Sequence, residues 1–341
     1  MDGRLRDGEV VVGEGGRNQF YDTRGYGRPL GQDEAPAPGA LALAQVEAAH
    51  LLFRGDLDAV AVEDRCLGFR EFFAAFVDPA RFFVYKDLRD RGFYLSVRDD
   101  LVVYPRGKGP WDDEVRFRVR PAGERDPVPA ATLGGVVLGV ADEESELTYL
   151  ATEGADPSGE AGVEAPDAEA ELVDDRALVW EPPAALHGTG FYGRPLDDEG
   201  DAGDGADGDS APLQLSLVEA AHLVAVGALT VEGGVPAVLE RGRAVEGERF
   251  DRRLRAYRGL RDRGLVPKTG FKFGADFRVY TAGEERGHAE SLVRVLPPGY
   301  EFTPRELSLY VRLAHGVRKR MLFAVDDGDG VEWLAVRRLT P

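Results

Sequence analysis

The chain has 341 residues, 43% of them hydrophobic, which is enough for two ordinary domains or four small subdomains with a core each, so wholesale disorder is excluded. Its 61 acidic residues outnumber 42 basic ones, for a net charge of −19, and only 5 of the basic residues are lysine. An acid-rich, lysine-poor surface stays hydrated where salt cuts the Debye length to about 3 Å, so the composition points to a halophilic, haloarchaeal source. The lone cysteine, Cys66, excludes an internal disulfide framework and a CxxC zinc site, and fits a reducing cytoplasm.

In chain order, the opening run MDGRLRDGEVVVGEGG lacks an apolar core followed by a small-residue cleavage site. No later run approaches the roughly 18 apolar residues of a membrane span. The expectation is a soluble, unexported, cytoplasmic protein with no membrane partner. Tyr26-Gly27-Arg28-Pro29-Leu30 then begins a series of motifs that return later: it recurs as Tyr192-Gly193-Arg194-Pro195-Leu196. Val46-Glu47-Ala48-Ala49-His50-Leu51 recurs as Val218-Glu219-Ala220-Ala221-His222-Leu223, and Leu88-Arg89-Asp90-Arg91-Gly92 as Leu260-Arg261-Asp262-Arg263-Gly264. Val103-Tyr104 matches Val279-Tyr280. The preserved order defines a tandem duplication. The predicted fold class is α/β (α+β), each repeat holding a small N-terminal α/β subdomain and a C-terminal α/β subdomain.

The expected boundaries are a first repeat over 1–152, with subdomains 1–76 and 77–152, and an acidic linker over 153–186. A second repeat over 187–341 has subdomains 187–249 and 250–341 and an acidic insertion at 197–211. Residues 153–211 carry 17 Asp and Glu against 2 Arg, and the reading is two poorly ordered pieces, 153–171 and 197–210, around a short ordered segment near Trp180 and Tyr192. Residues 251–341 reverse the sign, with 18 Lys and Arg against 12 Asp and Glu. Part of that excess, Arg252, Arg253, Arg255 and Arg258, reads as a solvated helix face, and the remainder suits an anionic ligand.

Within the second repeat, Phe250, Leu254, Tyr257 and Arg261 follow helical spacing and Gly264 stands where a C-terminal glycine belongs. Asp276–Tyr280 and Ser291–Val295 alternate as strands. Thr303-Pro304-Arg305-Glu306 is a capping box with proline at the first helical position, so a helix is predicted from Pro304 to about His315, stopping at Gly316. Lys319 then starts a strand, and Met321–Val325 and Val331–Val336 form a hairpin.

His50 and His222 occupy matching places on one apolar helix face, which argues for packing. His315 ends a helix, where a cation is favoured anyway, and His187 has no partner signal. His288 stands across a polar turn from Tyr280, and Lys319 survives in a chain that has replaced most lysines by arginine. The duplication supplies a control: Tyr280 matches Tyr104, but His288 falls on Asp112 and Lys319 on Gly135. One copy keeps all three residues and the other keeps one.

The blocks Lys268–Tyr280, His288-Ala289-Glu290 and Arg312–Lys319 closely resemble the three catalytic blocks of archaeal tRNA-splicing endonucleases, in the two-repeat, homodimeric form of that family. The resemblance implies that Tyr280, His288 and Lys319 are the active-site triad. It implies that Arg312, and Arg337 or Arg338, grip a bulged base by stacking, and that the acidic turn Asp142, Glu143, Glu144 and Glu146 docks onto a second copy. The implied substrate is precursor tRNA with a bulge-helix-bulge, and neither cofactor nor metal is required. Tyr280 would be general base, His288 general acid and Lys319 the charge that stabilises the phosphorane, giving 2′,3′-cyclic phosphate and 5′-hydroxyl ends. Two cuts at fixed separation, with one competent repeat per chain, imply a homodimer.

Two other readings compete. Asp326, Asp327 and Asp329 are suited to Mg²⁺, as in a metal-dependent nuclease, and the degenerate first repeat with the arginine-rich helix suits a non-enzymatic RNA-binding or assembly subunit. No GxxxxGK[ST] or GxGxxG motif supports nucleotide chemistry.

Overall fold

The computed structural model describes residues 1–31, 34, 37–162, 166–196, 211–281, 289–326 and 330–341. The first N-terminal subdomain comprises β1 (Gly3–Arg6), β2 (Glu9–Val12), β3 (Arg28–Pro29), β4 (Leu41–Ala44), α1 (Gln45–Arg54), β5 (Val60–Val62), β6 (Arg65–Leu67) and α2 (Phe69–Phe76). Its sheet runs β3-β4-β2-β1-β5-β6. The first C-terminal subdomain follows with α3 (Pro79–Asp90), β7 (Leu95–Val97), β8 (Leu101–Val103), β9 (Phe117–Gly123), β10 (Val128–Pro129), β11 (Val137–Ala141) and β12 (Leu147–Gly154).

The second copy opens earlier than its sequence indicates. β13 (Ala168–Val173) and β14 (Arg176–Val179) precede α4 (Ala184–Gly188), β15 (Arg194–Pro195), β16 (Leu213–Ser216), α5 (Leu217–Ala225), β17 (Leu229–Val231) and α6 (Gly234–Glu246). β13 and β14 are integral to the sheet β15-β16-β14-β13-β17, so the acidic linker expected over 153–186 is corrected: the second N-terminal subdomain starts at Ala168, not 187. The buried positions there are filled by Ala170, Ala177 and Val179, small residues that leave little hydrophobic signal among the surrounding carboxylates. Even the stretch before it is tied down, with Gly159 and Ala161 donating to the Arg263 and Gly264 carbonyls and Glu160 to that of Thr281. The acidic insertion at 197–211 lies, except for Ala211, outside the described residues.

The last subdomain comprises α7 (Glu248–Arg261), β18 (Val266–Thr269), β19 (Phe277–Tyr280), β20 (Ser291–Leu296), β21 (Glu301–Phe302), α8 (Pro304–Gly316), β22 (Arg320–Asp326) and β23 (Val331–Leu339). Gly264 has φ +71° after α7, as the sequence predicts, and Thr303 caps α8 by accepting from the Glu306 N–H, while the Glu306 carboxylate, instead of closing the predicted capping box, accepts from the Tyr300 and Tyr310 hydroxyls. The strand predicted from Lys319 begins one residue later, at Arg320.

Both C-terminal subdomains share one sheet of the order β18-β19-β20-β22-β23-β12-β11-β9-β8-β7. This order is a palindrome of equivalent strands. The row of paired residues Leu101, Val119, Val137, Ala151 in the first half corresponds to Phe277, Val293, Leu322, Ala335 in the second. One residue further, Thr152 pairs with Val336 across the central β12·β23 ladder, and these two are themselves equivalent. The halves are therefore related by a pseudo-two-fold axis through that pair. A core of Leu138, Leu150, Leu292, Phe302, Phe323 and their neighbours draws residues from both copies, and β10 pairs with β21 across the same boundary. The copies differ most where α8 lies: between β10 and β11 the first has only the 3₁₀ turn Ala130–Thr132.

The repeated motifs are the joints between subdomains. Gly27 and Gly193 adopt φ +67° and +63°, and a Cβ on either would run into a strand carbonyl, Ala42 or Gln214. Their N–H groups donate to Glu47 and Glu219, which also cap the N-termini of α1 and α5. Arg89 and Arg261 lie 3.8 and 3.9 Å above the rings of Tyr26 and Tyr192 and donate to the Arg24 and Gly190 carbonyls. His50 and His222 are buried against the same tyrosines, and burial lowers both imidazoles to about 4. They are neutral packing residues, as their repetition indicates.

Candidate active site

Tyr280 ends β19 and Lys319 immediately precedes β22. The last paired row of the second half is Val279, Ser291, Arg320. One step beyond it lie Tyr280, Glu290 and Lys319, joined by hydrogen bonds from Glu290 N–H to the Val279 carbonyl and from Arg320 N–H to the Glu290 carbonyl. Residues in one row of a pleated sheet share a face. The phenol and the amine thus stand on one side of one sheet end, two strand spacings or about 10 Å apart in the backbone. Lys319 donates to the carbonyl of Ala289, and its amine lies 5.9 Å from the Phe273 ring. His288, which directly precedes Ala289 in the chain, lies outside the described residues.

The first copy answers each element differently. Its Tyr104 is followed across the sheet by Arg116, and counting back along the chain from the equivalent residues Val137 and Leu322 makes Gly134 the counterpart of Lys319, one residue from the expected Gly135. Tyr104 is 6% exposed, and its hydroxyl bonds to that of Ser96 at 2.9 Å. Its phenol is buried and occupied. Tyr280 is half-buried, with the Phe191 ring edge-on at 5.4 Å and the Arg278 guanidinium at 5.7 Å.

Beside Lys319 a groove of about 1300 Å³ runs between α8 and the central strands, lined by Arg305, Arg312, Arg338, Asp142 and Glu146 among others. Lys319 also borders a second, more open hollow with Arg318 and Arg320. Among the described residues Arg312, Arg318, Arg320, Arg338 and Lys319 form no ion pair, whereas Arg337 is bonded to Glu153 at 3.0 Å. The helix arginines behave otherwise. Arg253 pairs with Glu246 and Asp276, and Arg255 grips Asp326 with both nitrogens. They hold the fold together, which corrects the expected solvated helix face. Asp326, one of the three suggested magnesium ligands, is fully buried in that pair; Asp327 and Asp329 lie outside the described residues.

The acidic turn between β11 and β12 is well formed. Asp142 accepts from the Glu144 and Glu146 N–H groups, Ser145 sits at φ +65°, and exposed Glu143 pairs with exposed Arg125.

Sequence reasoning gave no role to Lys268. It is 10% exposed and donates to Glu219 at 3.0 Å and to the carbonyls of Phe191 and Gly193 at 3.2 and 2.7 Å. Its scarcity in an arginine-rich chain was the available signal. Burial raises Glu47 to about 7 in the copy that has Ser96 at this place. Glu219 is also buried, but the Lys268 charge and hydrogen bonds from the Ser216 and Gly193 N–H groups bring it down to about 2.

Fold and site together define a duplicated α/β enzyme scaffold with one open, cation-rich site and one closed counterpart. Comparison with known families agrees: the tRNA intron endonuclease catalytic C-terminal domain matches residues 250–333, and the N-terminal domain of the same family matches twice, at 1–73 and 168–241. The chain is 54% identical to the tRNA-splicing endonuclease of Natronomonas pharaonis over all of both chains. It is 53% identical to that of Haloarcula marismortui over 98% of each, and 51% to that of Haloferax volcanii over all of both. The chain belongs to the tRNA intron endonuclease family, with its catalytic domain in the second repeat, and its near relatives are haloarchaeal.

Proposed function

We propose that this protein cuts precursor tRNA, and related RNAs, at the bulge-helix-bulge that marks intron boundaries. The observation that carries the reading is the asymmetry of the two copies: Tyr280 and Lys319 share a sheet end in the copy matching the catalytic domain, while the Tyr104 hydroxyl is capped by Ser96 and the counterpart of Lys319 is a glycine. The first repeat is non-catalytic.

The ribose 2′-oxygen attacks the adjacent phosphorus as Tyr280 takes its proton. Lys319 neutralises the added charge on the phosphorane, and His288 protonates the departing 5′-oxygen. The step needs no metal and leaves a 2′,3′-cyclic phosphate and a 5′-hydroxyl. Arg312 and Arg338, with Arg337 beside them, stack on the unpaired bases, since such RNA is read by shape and splayed bases. Two cuts per substrate require two chains, so the working form is a homodimer in the cytoplasm. The Asp142, Glu143, Glu144, Glu146 turn docks onto the other copy.

The test uses molar KCl, excess EDTA and an end-labelled bulge-helix-bulge RNA. The wild type is expected to give two cuts with cyclic-phosphate ends. Lys319→Ala loses about 10²–10³ in rate, and His288→Ala and Tyr280→Phe about 10²–10⁴ each. No cutting in EDTA with activity restored by Mg²⁺, or full activity in Lys319→Ala, would overturn the mechanism.

A further inference from the structure

The residues that contact the Tyr280 ring differ from their counterparts around Tyr104: Phe191 stands for Gly25 and Arg278 for Val102, with Lys268 in the place of Ser96 behind them. Phe191 precedes the Tyr192-Gly193 motif and holds φ +50°, a conformation that residues other than glycine rarely adopt. In the first copy this position is Gly25, at φ +64°. There a Cβ would meet Pro110 and Tyr94 at 3.1 and 3.3 Å, so the glycine leaves its space to Tyr94. In the second copy the phenylalanine fills the space instead, 5% exposed, with its ring against that of Tyr280 at 5.4 Å and 72°.

The backbone itself turns the same way in both copies, with Phe191 N–H donating to the His187 carbonyl as Gly25 N–H does to that of Tyr21, and Lys268 adds a brace that the first copy lacks. Its amine bonds the Phe191 carbonyl and the Gly193 carbonyl two residues on, lies 5.0 Å from the Phe191 ring, and is anchored by buried Glu219. Lys268 stands where the first copy has Ser96, the residue that occupies the Tyr104 hydroxyl. Replacing a serine by a lysine that turns toward the N-terminal subdomain both frees the phenol and fixes the loop that borders it.

We infer that Phe191, locked by Lys268 and Glu219, is a positioning residue for the Tyr280 phenol. The N-terminal subdomain of the second repeat thereby serves the reaction through one aromatic edge. This deepens the proposed function and rests on Tyr280 acting in the chemistry. An edge-to-face contact limits how far the ring swings, and a proton acceptor displaced by about 1 Å can lose on the order of 100-fold in rate.

The experiment uses the full-length protein in single-turnover cleavage at saturating bulge-helix-bulge RNA, with thermal unfolding of each variant. Phe191→Gly suits the backbone conformation and is expected to lower the rate by about 100-fold, with the half-saturating RNA concentration unchanged. Phe191→Tyr should restore it. Phe191→Leu keeps the volume without the aromatic edge and should lose at least about tenfold, which covers the case of a Phe191→Gly protein that does not fold. In a Tyr280→Phe background Phe191→Gly should cost nothing more. A wild-type rate in both Phe191→Gly and Phe191→Leu overturns the inference, as does an equal further loss in the Tyr280→Phe background. If Tyr280→Phe alone cleaves at the wild-type rate, the catalytic reading of Tyr280 falls and this inference with it.

Discussion

Glu47 and Glu219 are one residue in two environments. Both are buried and cap equivalent helices, and only Glu219 meets an ammonium. Glu219 is held near 2, below its unfolded value, so its contribution is full above about pH 4.5 and is lost as pH falls toward 2. That is about 3 kcal/mol. Glu47 has the opposite sign: raised to about 7, it costs stability progressively as pH rises from about 4.5 through 7. Lys268→Met should therefore reduce the unfolding free energy at pH 7 by about 3–5 kcal/mol and flatten its dependence between about pH 4.5 and 2. Urea titrations across that range check it; an unchanged slope would show that Lys268 does not set the state of Glu219. The candidate triad was legible because its blocks are local runs of sequence. Lys268 was not, because its partners lie in segments distant in the chain and meet only when two subdomains close on each other.

Elements were legible where local chemistry announces them. The Thr303-Pro304 cap before α8, the glycine after α7 and the alternation in β19, β20, β22 and β23 all mark their own ends. β13 and β14 were not legible, since alanines do their packing and acids occupy the rest. Because α8 borders the groove with Arg312 and precedes Lys319, its N-terminus is a test of coupling between helix and site. Thr303→Ala removes the oxygen that accepts from Glu306 N–H and should cost about 1 kcal/mol. A melt of the variant measures this, and a stability equal to wild type would mean that proline at the first position already suffices.

For the whole molecule, charge and symmetry set the expectations. A net charge of −19 repels itself at low salt, so the melting temperature should climb as KCl rises from about 0.1 M, where the Debye length is about 10 Å, to about 1 M, where it is about 3 Å. A melting temperature independent of salt would contradict this. Tyr280 and Tyr104 stand on strands seven spacings apart, about 34 Å along the sheet, and one of them is closed. On the proposed function a single chain offers one site, and light scattering in molar KCl should report a mass of two chains; one chain would contradict the proposed dimer. The duplication itself was readable from repeated motifs. The palindromic sheet was not, because strand order across two copies depends on which edge each presents, and no local pattern encodes that.

The ladder at the pseudo-axis carries a historical consequence. β12 and β23 are equivalent strands lying antiparallel, so each half covers the open strand edge that the other would expose. A half-length ancestor would have ended on that unpaired edge, a template for aggregation unless another strand met it. A second copy of itself would have met it in this same register, because a half-turn maps the arrangement onto itself. Gene fusion would then have changed no contact at the seam. Under the proposed function it also freed one copy from keeping a working site, and Tyr104 and Gly134 are the residues that copy now carries.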